Sequence, residues 1–374
     1  MELQRFISEN PTYLELCKNA GLKVRKKRHL ALVTYPYGMT LDASPETIWM
    51  RYCRGAVINT DTNKVVCCPP IKAIALTYGD DVINDAQEVC EYQPLIEGTM
   101  INLFYDTVDQ EWVYCTRGSI GANNKWIDNK SFKTMFTECC PQIDMTLLDT
   151  ACSYSFVMRH TQNRIISPIT ENSVYLVEMY RMCEEGLQRQ PQSEYPTQFH
   201  TSDTSVNVDE FMNIYDRELP YYIKGFTIKC GASRYTYLNP NYLYVKNLMP
   251  QSNNPYLNYV ELRGNGMLRE YLTYFPEYVN DYAMYRDQIH TFTNGLYTMY
   301  KNVHIYKTTE KTEIPYHMKP LLYEIHGLFL KEREPIRWST MKEYIHDLPP
   351  KKLLFALNYE FPTKKSTKKS TRDI

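Results

Sequence analysis

The segment Gln93–Asp106, QPLIEGTMINLFYD, predicts the centre of the fold. Its second half, TMINLFYD, is rich in aliphatic and aromatic residues, and Gly98 stands directly before it. The polar residues TVDQ follow, and then a second β-rich run, EWVYCTRGS, begins at Glu111. Two such runs around a short polar turn are typical of an antiparallel hairpin. A glycine at the start of a strand relieves the backbone where the chain turns, so Glu97-Gly98 is interpreted as a turn feature.

The first 250 residues repeat this pattern and predict a mostly antiparallel β domain. GAVIN and KVVCC surround TDTN and predict a further hairpin, while YSFVMRH and VYLVEMYR predict two more strands. YYIKGFTIKC and RYTYLNPNYLYVKNL are expected to supply the last strands. Short helices are predicted at Tyr13–Asn19 and in SFKTMFTECC, and the polar residues 184–207 predict a surface loop.

Beyond residue 250 the hydrophobic period changes to that of helices. Ile289, Phe292, Leu296, Met299 and Val303 form one stripe of a long helix beginning near residue 276. A second helix is predicted after residue 320, a third from the capping-box spacing of TMKE at 340–343, and a fourth in PPKKLLFALNY. The sequence therefore predicts an α+β protein: an antiparallel-β domain over 1–250 and an all-α domain over 251–360.

Composition excludes several classes of protein. No run of eighteen apolar residues occurs and no signal peptide is recognisable, so we expect an intracellular, non-secreted protein without membrane insertion. Residues 361–374 predict a basic, disordered tail, and without the charges of that tail the chain sums to about −5, which does not indicate nucleic-acid binding by bulk charge. Eleven cysteines without CxxC spacing predict reduced thiols and no metal site.

Seven segments in one order resemble the phage-type ATP-dependent RNA ligases, which are covalent nucleotidyltransferases. The segments are YCRGAVIN (52–59), CPPIKAIAL (68–76), LIEGTMINLFYD (95–106), CTRGSIGA (115–122), YSFVMRHTQNRII (154–166), IKGFTIK (223–229) and YLYVKNL (242–248). The later text, including YFPEYVNDYAMYRDQIHTFTNGLY, is similar to RNA-ligase-like proteins of large nucleocytoplasmic DNA viruses. The resemblance implies a nucleotidyltransferase fold for the β domain.

The residues on which the chemistry of these ligases depends differ in this chain. In those enzymes a lysine in a K-x-[DE]-G segment attacks the α-phosphate of ATP. Glu97-Gly98 matches the acidic–glycine pair, which places Leu95 in the position of the nucleophile, and no K-x-[DE]-G occurs elsewhere in the chain. Val157 and Lys224 occupy positions where the family has glutamates. We therefore expect no catalytic residues, no metal ligands and no cofactor.

Several basic positions match those that line the family's pocket. Arg54, Lys72, Arg117 and Lys246, together with Glu97, are predicted to be the remnant of a nucleotide- or phosphate-binding site. In the alternative interpretation these cations pair with Glu97, with Glu178 or with Asp106 and only hold the fold together.

These observations favour a catalytically degenerate RNA-ligase-like protein that acts as a binding or structural component. In a large DNA virus it would be associated with the virion or capsid, or with the cytoplasm of the infected cell. Its partners would be other virion proteins, and RNA or DNA bound through the pocket or the basic tail. The first alternative is an active RNA ligase or nucleotidyltransferase that uses ATP and Mg²⁺ with a displaced nucleophile such as Lys72 or Lys224. The second is a noncovalent nucleotide or RNA binder.

Overall fold

The computed structural model describes residues 1–41, 44, 46–76, 90–125, 130–141, 143–202, 218–231, 233–250, 252 and 254–357. The chain divides into two compact units, Met1–Lys246 and Asn247–Ile374. The first unit holds antiparallel sheets and the second is helical, which confirms the predicted fold class. The tail predicted over 361–374 lies outside the described residues.

The described strands of the first unit form three sheets. They are β1 (Lys23–Lys27), β2 (Leu30–Thr34), β3 (Arg54–Asn59), β4 (Lys64–Cys67), β5 (Ile74–Leu76), β6 (Cys90–Pro94), β7 (Thr99–Asp106), β8 (Glu111–Thr116), β9 (Ser119–Ile120), β10 (Cys152–Arg159), β11 (Ser173–Cys183), β12 (Gly186–Arg189), β13 (His200–Thr201), β14 (Gly225–Cys230) and β15 (Ser233–Leu238). Sheet 1 has the order β1-β2-β3-β4, sheet 2 the order β12-β11-β10-β7-β8-β9, and sheet 3 the order β5-β15-β14-β6. Strand β13 pairs with β11. Neighbouring strands are antiparallel except for β11–β13 and β5–β15.

Both predicted hairpins are confirmed, β3–β4 around TDTN and β7–β8 around TVDQ. In each turn the last residue before the return strand has a left-handed backbone, Asn63 and Gln110, both with φ 53°. A carboxamide or carboxylate at the start of each turn accepts backbone N–H groups, as Asn59 does from residues 61 and 62 and Asp106 from Val108. Such local bonds favour turns over continued strands.

The two faces of sheet 2 differ in polarity. Along β10, Cys152, Tyr154, Phe156 and Met158 pack in a buried cluster with the helix Phe132–Cys139. Because side chains alternate along a strand, the residues between them lie on the opposite face. The hydrophobic part of that second face packs against sheet 1. The buried residues of this contact are Leu30, Leu32, Val57, Cys67, Phe104, Val113 and Cys115. It also carries buried polar groups: Asn102, Ser153, Ser155 and Glu178.

The first unit also contains four α-helices in its described residues, and two predictions about this unit are wrong. The helices are α1 (Glu2–Glu9), α2 (Tyr13–Asn19), α3 (Phe132–Cys139) and α4 (Pro240–Asn247). The segment predicted as a last strand, YLYVKNL, belongs to α4 because Asn239 caps it: the Asn239 side chain accepts from the Asn241 amide and donates to three carbonyls of residues 219–223. The polar stretch 184–207 includes strands β12 and β13 rather than being a loop throughout its described part.

The second unit confirms the predicted helices and adds two. They are α5 (Pro255–Gly264), α6 (Leu268–Tyr274), α7 (Val279–Tyr300), α8 (Lys319–Glu332), α9 (Trp338–His346) and α10 (Pro350–Ala356). A π-helical turn, Lys301–Ile305, continues α7. The capping-box prediction at 340–343 is wrong, because α9 begins at Trp338 and Thr340 lies inside its first turn. Within the described residues no helix is long and apolar enough to cross a membrane.

One pair of cysteines contradicts the expectation of reduced thiols. Cys90 and Cys230 lie opposite each other in the β6–β14 register, with Cα atoms 4.4 Å apart, and form a disulfide. Antiparallel pairing brought the two residues together over a sequence separation of 140 residues. The other cysteines are free, and most of them are buried.

Candidate functional site

The three positions that depart from the ligase pattern lie at one corner of the first unit. The amide of Leu95 donates to the carbonyl of Gly225 (2.8 Å), so the chain after β6 runs beside the start of β14, where Lys224 stands. At the start of β7, a Cβ on Gly98 would lie 2.8 Å from Cγ1 of Val157 and would also collide with the Met158 carbonyl. The corner is therefore assembled from close backbone approaches that only glycine permits.

Glu97 ties this corner to two other segments. Its buried carboxylate accepts hydrogen bonds from the amides of Ile166 (2.9 Å) and Ser167 (2.6 Å) and from the hydroxyl of Tyr242 on α4 (2.9 Å). Hydrogen bonds to an ionised carboxylate are among the stronger ones in proteins. Both oxygens of Glu97 are thus engaged within the protein, as expected of a residue that fixes the turn.

Two of the predicted basic residues, Lys72 and Arg117, converge on one aromatic ring, that of Tyr35. The guanidinium carbon of Arg117 lies 4.4 Å from the ring centroid, and the ammonium of Lys72 lies 5.0 Å from it. Arg54 begins β3 close by, where a Cβ on Gly55 would lie 2.9 Å from the Arg117 backbone. We call Arg54, Lys72 and Arg117 the cleft cations. All three side chains are partly buried.

Two of the cleft cations, Arg117 and Lys72, donate hydrogen bonds to neutral groups. Arg117 donates to the carbonyl of Tyr35 (3.2 Å), and Lys72 donates to the carbonyl of Met39 (2.6 Å). Arg51, which is buried, donates twice to the backbone carbonyl of Lys72 (2.8 and 3.1 Å). These bonds position the positive groups without neutralising their charge.

The like charges also act on the pKa values of Arg54 and Lys72. Burial lowers the pKa of Arg54, and the nearby charge of Arg117 lowers it further, whereas the phenol of Tyr35 acts in the opposite direction. Burial also lowers the pKa of Lys72, and Arg117, Arg54 and Arg51 add to that effect. A like charge close by disfavours the charged form of each group.

Lys224 extends this positive region. Burial lowers the pKa of Lys224 to about 8, and the charges of Arg54 and Lys246 act in the same direction, opposed by Glu97. Lys246 itself lies in the last turn of α4 with an exposed side chain. The structure thus places Lys246 near the corner, but on a helix rather than in a final strand.

The alternative ion pairs predicted from the sequence do not form. The carboxylate of Asp106 contacts His29 through both of its oxygens (2.8 and 3.0 Å). Glu97 has the partners described above. Glu178 pairs with Arg234 (2.5 Å), accepts from Tyr180 (2.6 Å) and lies 3.8 Å from Lys229. Throughout the described ranges, none of the cleft cations forms an ion pair with a carboxylate.

These engagements also bear on metal binding. The carboxylates of Glu97 and Glu178 already have protein partners, so neither is a free ligand at the corner. Elsewhere, His29, Asp106 and Asp109 bring ligand atoms within 4.8 Å of one another. Arg28 forms an ion pair with Asp109 (2.7 Å), however, so the negative charge of Asp109 is already balanced by the protein.

Two residues of this site, Tyr35 and Arg51, were not predicted from the sequence. Tyr35 follows β2 and precedes a proline, and nothing in its neighbourhood distinguishes it from the other tyrosines of the chain. Its role arises from pairing between strands, since the Tyr35 amide donates to the carbonyl of Cys53, the residue before Arg54.

Comparisons with known proteins give low similarities. No protein-family model matches the sequence, and no curated protein matches it. Among solved structures, a putative ATP-dependent DNA ligase from Aquifex aeolicus is 13% identical with a TM-score of 0.42, over 86% of this chain and 79% of that one. An archaeal ATP-dependent RNA ligase, described as form 1 and form 2, is 11% identical, with TM-scores of 0.39 (68% of this chain, 64% of that one) and 0.40 (76% and 80%). The structures that resemble this chain are therefore ATP-dependent DNA and RNA ligases, at low identity.

Proposed function

We propose that this protein is a catalytically inactive, RNA-ligase-like protein that binds phosphate groups noncovalently through the cleft cations. The observation that carries the proposal is that Lys72 and Arg117 converge on Tyr35, with the charge of Arg54 close by, and that none of the three has a carboxylate partner among the described residues. Positive groups held together by neutral acceptors repel one another until an anion binds between them. Guanidinium groups suit phosphate especially well, since their planar forks donate two parallel hydrogen bonds.

The ligand is inferred to be a nucleotide or the phosphate backbone of RNA. Three cations, with Lys224 beside them, match a ligand that carries several negative charges better than a single carboxylate. Leu95 has no lone pair and cannot form a bond to phosphorus, so binding would end without covalent transfer. The association with virion proteins of a large DNA virus belongs to the same proposal and rests on the resemblance of the sequence.

Binding of a fluorescent 5′-phosphorylated RNA oligonucleotide, followed by anisotropy, tests this proposal. Arg117→Gln keeps much of the side chain but removes the guanidinium group. It should raise the Kd about tenfold, which corresponds to a loss of about 1.4 kcal/mol of binding free energy. Arg5→Gln is the matched control, because Arg5 lies on α1 in an exposed pair with Glu9. Tripolyphosphate should compete with the RNA. Equal affinities of the two variants and the unmodified protein would contradict the proposal.

A second candidate function is favoured by the position of Lys224. Its backbone lies beside Leu95, and its lowered pKa makes the neutral, nucleophilic amine more accessible than in an ordinary lysine. In such an enzyme the Lys224 amine would form a P–N bond to the α-phosphorus of ATP, pyrophosphate would leave, and the amine proton would pass to solvent.

Incubation with α-labelled ATP and Mg²⁺, followed by denaturing electrophoresis, separates the two functions. The noncovalent proposal expects no labelled band. An acid-sensitive label that disappears in Lys224→Met, but not in a Lys23→Met control on exposed strand β1, would establish the second function and overturn the first.

A further inference from the structure

A cavity of about 260 Å³ lies between β11–β12 and β14–β15, apart from the cleft cations, and we propose that it binds a small organic carboxylate. Its wall carries Glu178, Lys229 and Arg234, which we call the Glu178 group, together with Arg189. Ligand pockets in proteins are typically concave and mostly apolar, with a few convergent polar groups. The volume is just below the range of about 300–1,000 Å³ for drug-sized ligands and therefore suits a small molecule.

Lys229 is the residue that indicates a ligand. Its side chain is only 4% exposed, yet its ammonium has no hydrogen-bond acceptor among the described residues. The carboxylate of Glu178 lies 3.8 Å away, beyond hydrogen-bond distance. Burying a cationic donor without an acceptor is costly, so an acceptor in the cavity would be strongly favoured.

The balance of charge at the cavity indicates an anion. Glu178 is already engaged by Arg234 and by the hydroxyl of Tyr180, and Arg189 pairs with Glu91 (3.1 Å). Burial alone would raise the pKa of Glu178, but Arg234 and Lys229 overcome this effect and hold it below its ordinary value. Among the side chains, three cations on the wall are therefore matched by two carboxylates, Glu178 on the wall and Glu91 outside it, and Nε of Arg189 is also buried without an acceptor. One monovalent anion would complete this balance of side-chain charges.

The rest of the lining favours an anion with an apolar body. Ile71, Leu187 and the ring of Tyr52 form part of the wall. Inorganic phosphate would leave these surfaces facing water, whereas an aromatic or aliphatic carboxylate would cover them while its oxygens accept from Lys229 and Arg189. A small carboxylic acid in its ionised form is therefore the ligand class that fits both halves of the cavity.

The lining of the cavity does not include the cleft cations. Arg234 and Glu178 do act on the pKa of Arg54, but less than burial, Tyr35 and Arg117 do. A variant of Arg117 should accordingly leave carboxylate binding unchanged. Failure of phosphate binding and failure of carboxylate binding can thus be observed separately.

Amine acylation of the full chain tests the proposal, with labelled lysines located by mass spectrometry. Burial lowers the pKa of Lys229 to about 8, so the free amine is available to a small acylating reagent at pH 8. Benzoate is the probe, and benzamide, which has the same ring without the charge, is the matched control. Benzoate should slow labelling of Lys229 several-fold and raise the Tm, while benzamide should do neither; exposed Lys23 should be labelled equally in all samples.

Substitution of Lys229 is the second part of the test. Lys229→Met should abolish the increase in Tm with benzoate, whereas Lys23→Met and Arg117→Gln should retain it. Equal effects of benzoate and benzamide would overturn the proposal, and so would an undiminished benzoate shift in Lys229→Met. Protection of Lys229 by inorganic phosphate but not by benzoate would overturn the assignment to a carboxylate with an apolar body.

Discussion

The first unit contains two groups of partly or fully buried cations that differ in how their charge is balanced. In the Glu178 group, Arg234 lies 2.5 Å from the carboxylate and Lys229 lies 3.8 Å from it. Among the cleft cations, Lys72 and Arg117 contact a tyrosine ring and backbone carbonyls instead. The same residue types therefore have a carboxylate in one place and neutral acceptors in the other.

This difference separates a structural role from a binding role. Removing one partner of a buried ion pair leaves a charge that neither water nor protein stabilises. A buried cation without a carboxylate partner is already unstabilised in the unliganded protein, and only an anionic ligand can stabilise it. Removal of the Glu178 carboxylate should therefore mainly lower stability, whereas substitutions of the cleft cations should mainly lower affinity.

The largest effect is expected for Glu178→Gln. The carboxylate is 2% exposed, and its loss would leave Arg234 and Lys229 buried without a negative partner. The free energy of unfolding of the first unit should fall by about 3–5 kcal/mol. Urea unfolding followed by tryptophan fluorescence measures it.

A nearby pair provides the control for that experiment. Glu91 pairs with Arg189 in the same part of the fold, but both side chains are about one-third exposed. Glu91→Gln should cost about 0–1 kcal/mol, as exposed pairs usually do. If both variants lost the same free energy, burial would not be what distinguishes the Glu178 group.

A smaller loss is expected for Glu97→Gln. The amide side chain can accept at one oxygen only, so at least one of the three bonds from Ile166, Ser167 and Tyr242 must be lost. The free energy of unfolding should fall by about 2 kcal/mol, since hydrogen bonds to a charged group contribute about 1.5–3 kcal/mol each. RNA affinity should stay within about twofold after correction for folded fraction. A tenfold loss of affinity at full folding would instead make Glu97 part of the binding site.

The local order of the β unit could be predicted from the sequence, because hairpins depend on neighbouring residues. TDTN and TVDQ each carry the turn residues that close a hairpin, and both hairpins formed. The segment 240–247 was predicted wrongly because its β-rich composition gave no indication of the cap at Asn239, whose carbonyl partners lie 16 to 20 residues earlier. The disulfide between Cys90 and Cys230 likewise depends on register between distant strands.

The candidate site was only partly accessible from the sequence. The basic positions Arg54, Lys72 and Arg117 were identified, but their counter-charges were not. Asp106, Glu97 and Glu178 were all plausible partners by charge alone, and each is engaged elsewhere by a residue far away in sequence. Pairing of charges is a property of the packed sheets, which hydrophobic periodicity does not encode.

An effect of opposite sign is expected for Lys224→Met. The pKa of Lys224 is lowered to about 8, from about 10.4 in an unfolded chain, so below pH 8 the folded state bears the cost of a disfavoured charge. Between about pH 8 and 10.4 the unfolded state binds more protons, and this contribution raises stability with pH. Lys224→Met should thus be more stable than the unmodified protein at pH 7, and the advantage should vanish by about pH 10.5. Urea titrations of both proteins at several pH values measure this difference; a constant difference would contradict it.

The smallest effect is expected for Leu95→Lys, assayed as covalent label from α-labelled ATP and Mg²⁺. The new amine would stand beside Lys224 and near Arg54, and these like charges would lower its pKa toward the nucleophilic form. An amine alone does not suffice, however, because positions 157 and 224 still lack the acids that the resemblance implies, and the oxygens of Glu97 are occupied. Groups that act as a unit do not restore activity one at a time. No label above background is therefore expected from Leu95→Lys, whereas Leu95→Lys combined with Val157→Glu and Lys224→Glu is the variant in which label could first appear. Label in the single variant would show that the site lacks only the nucleophile. It would also show that the cleft cations already supply the remaining charge stabilisation.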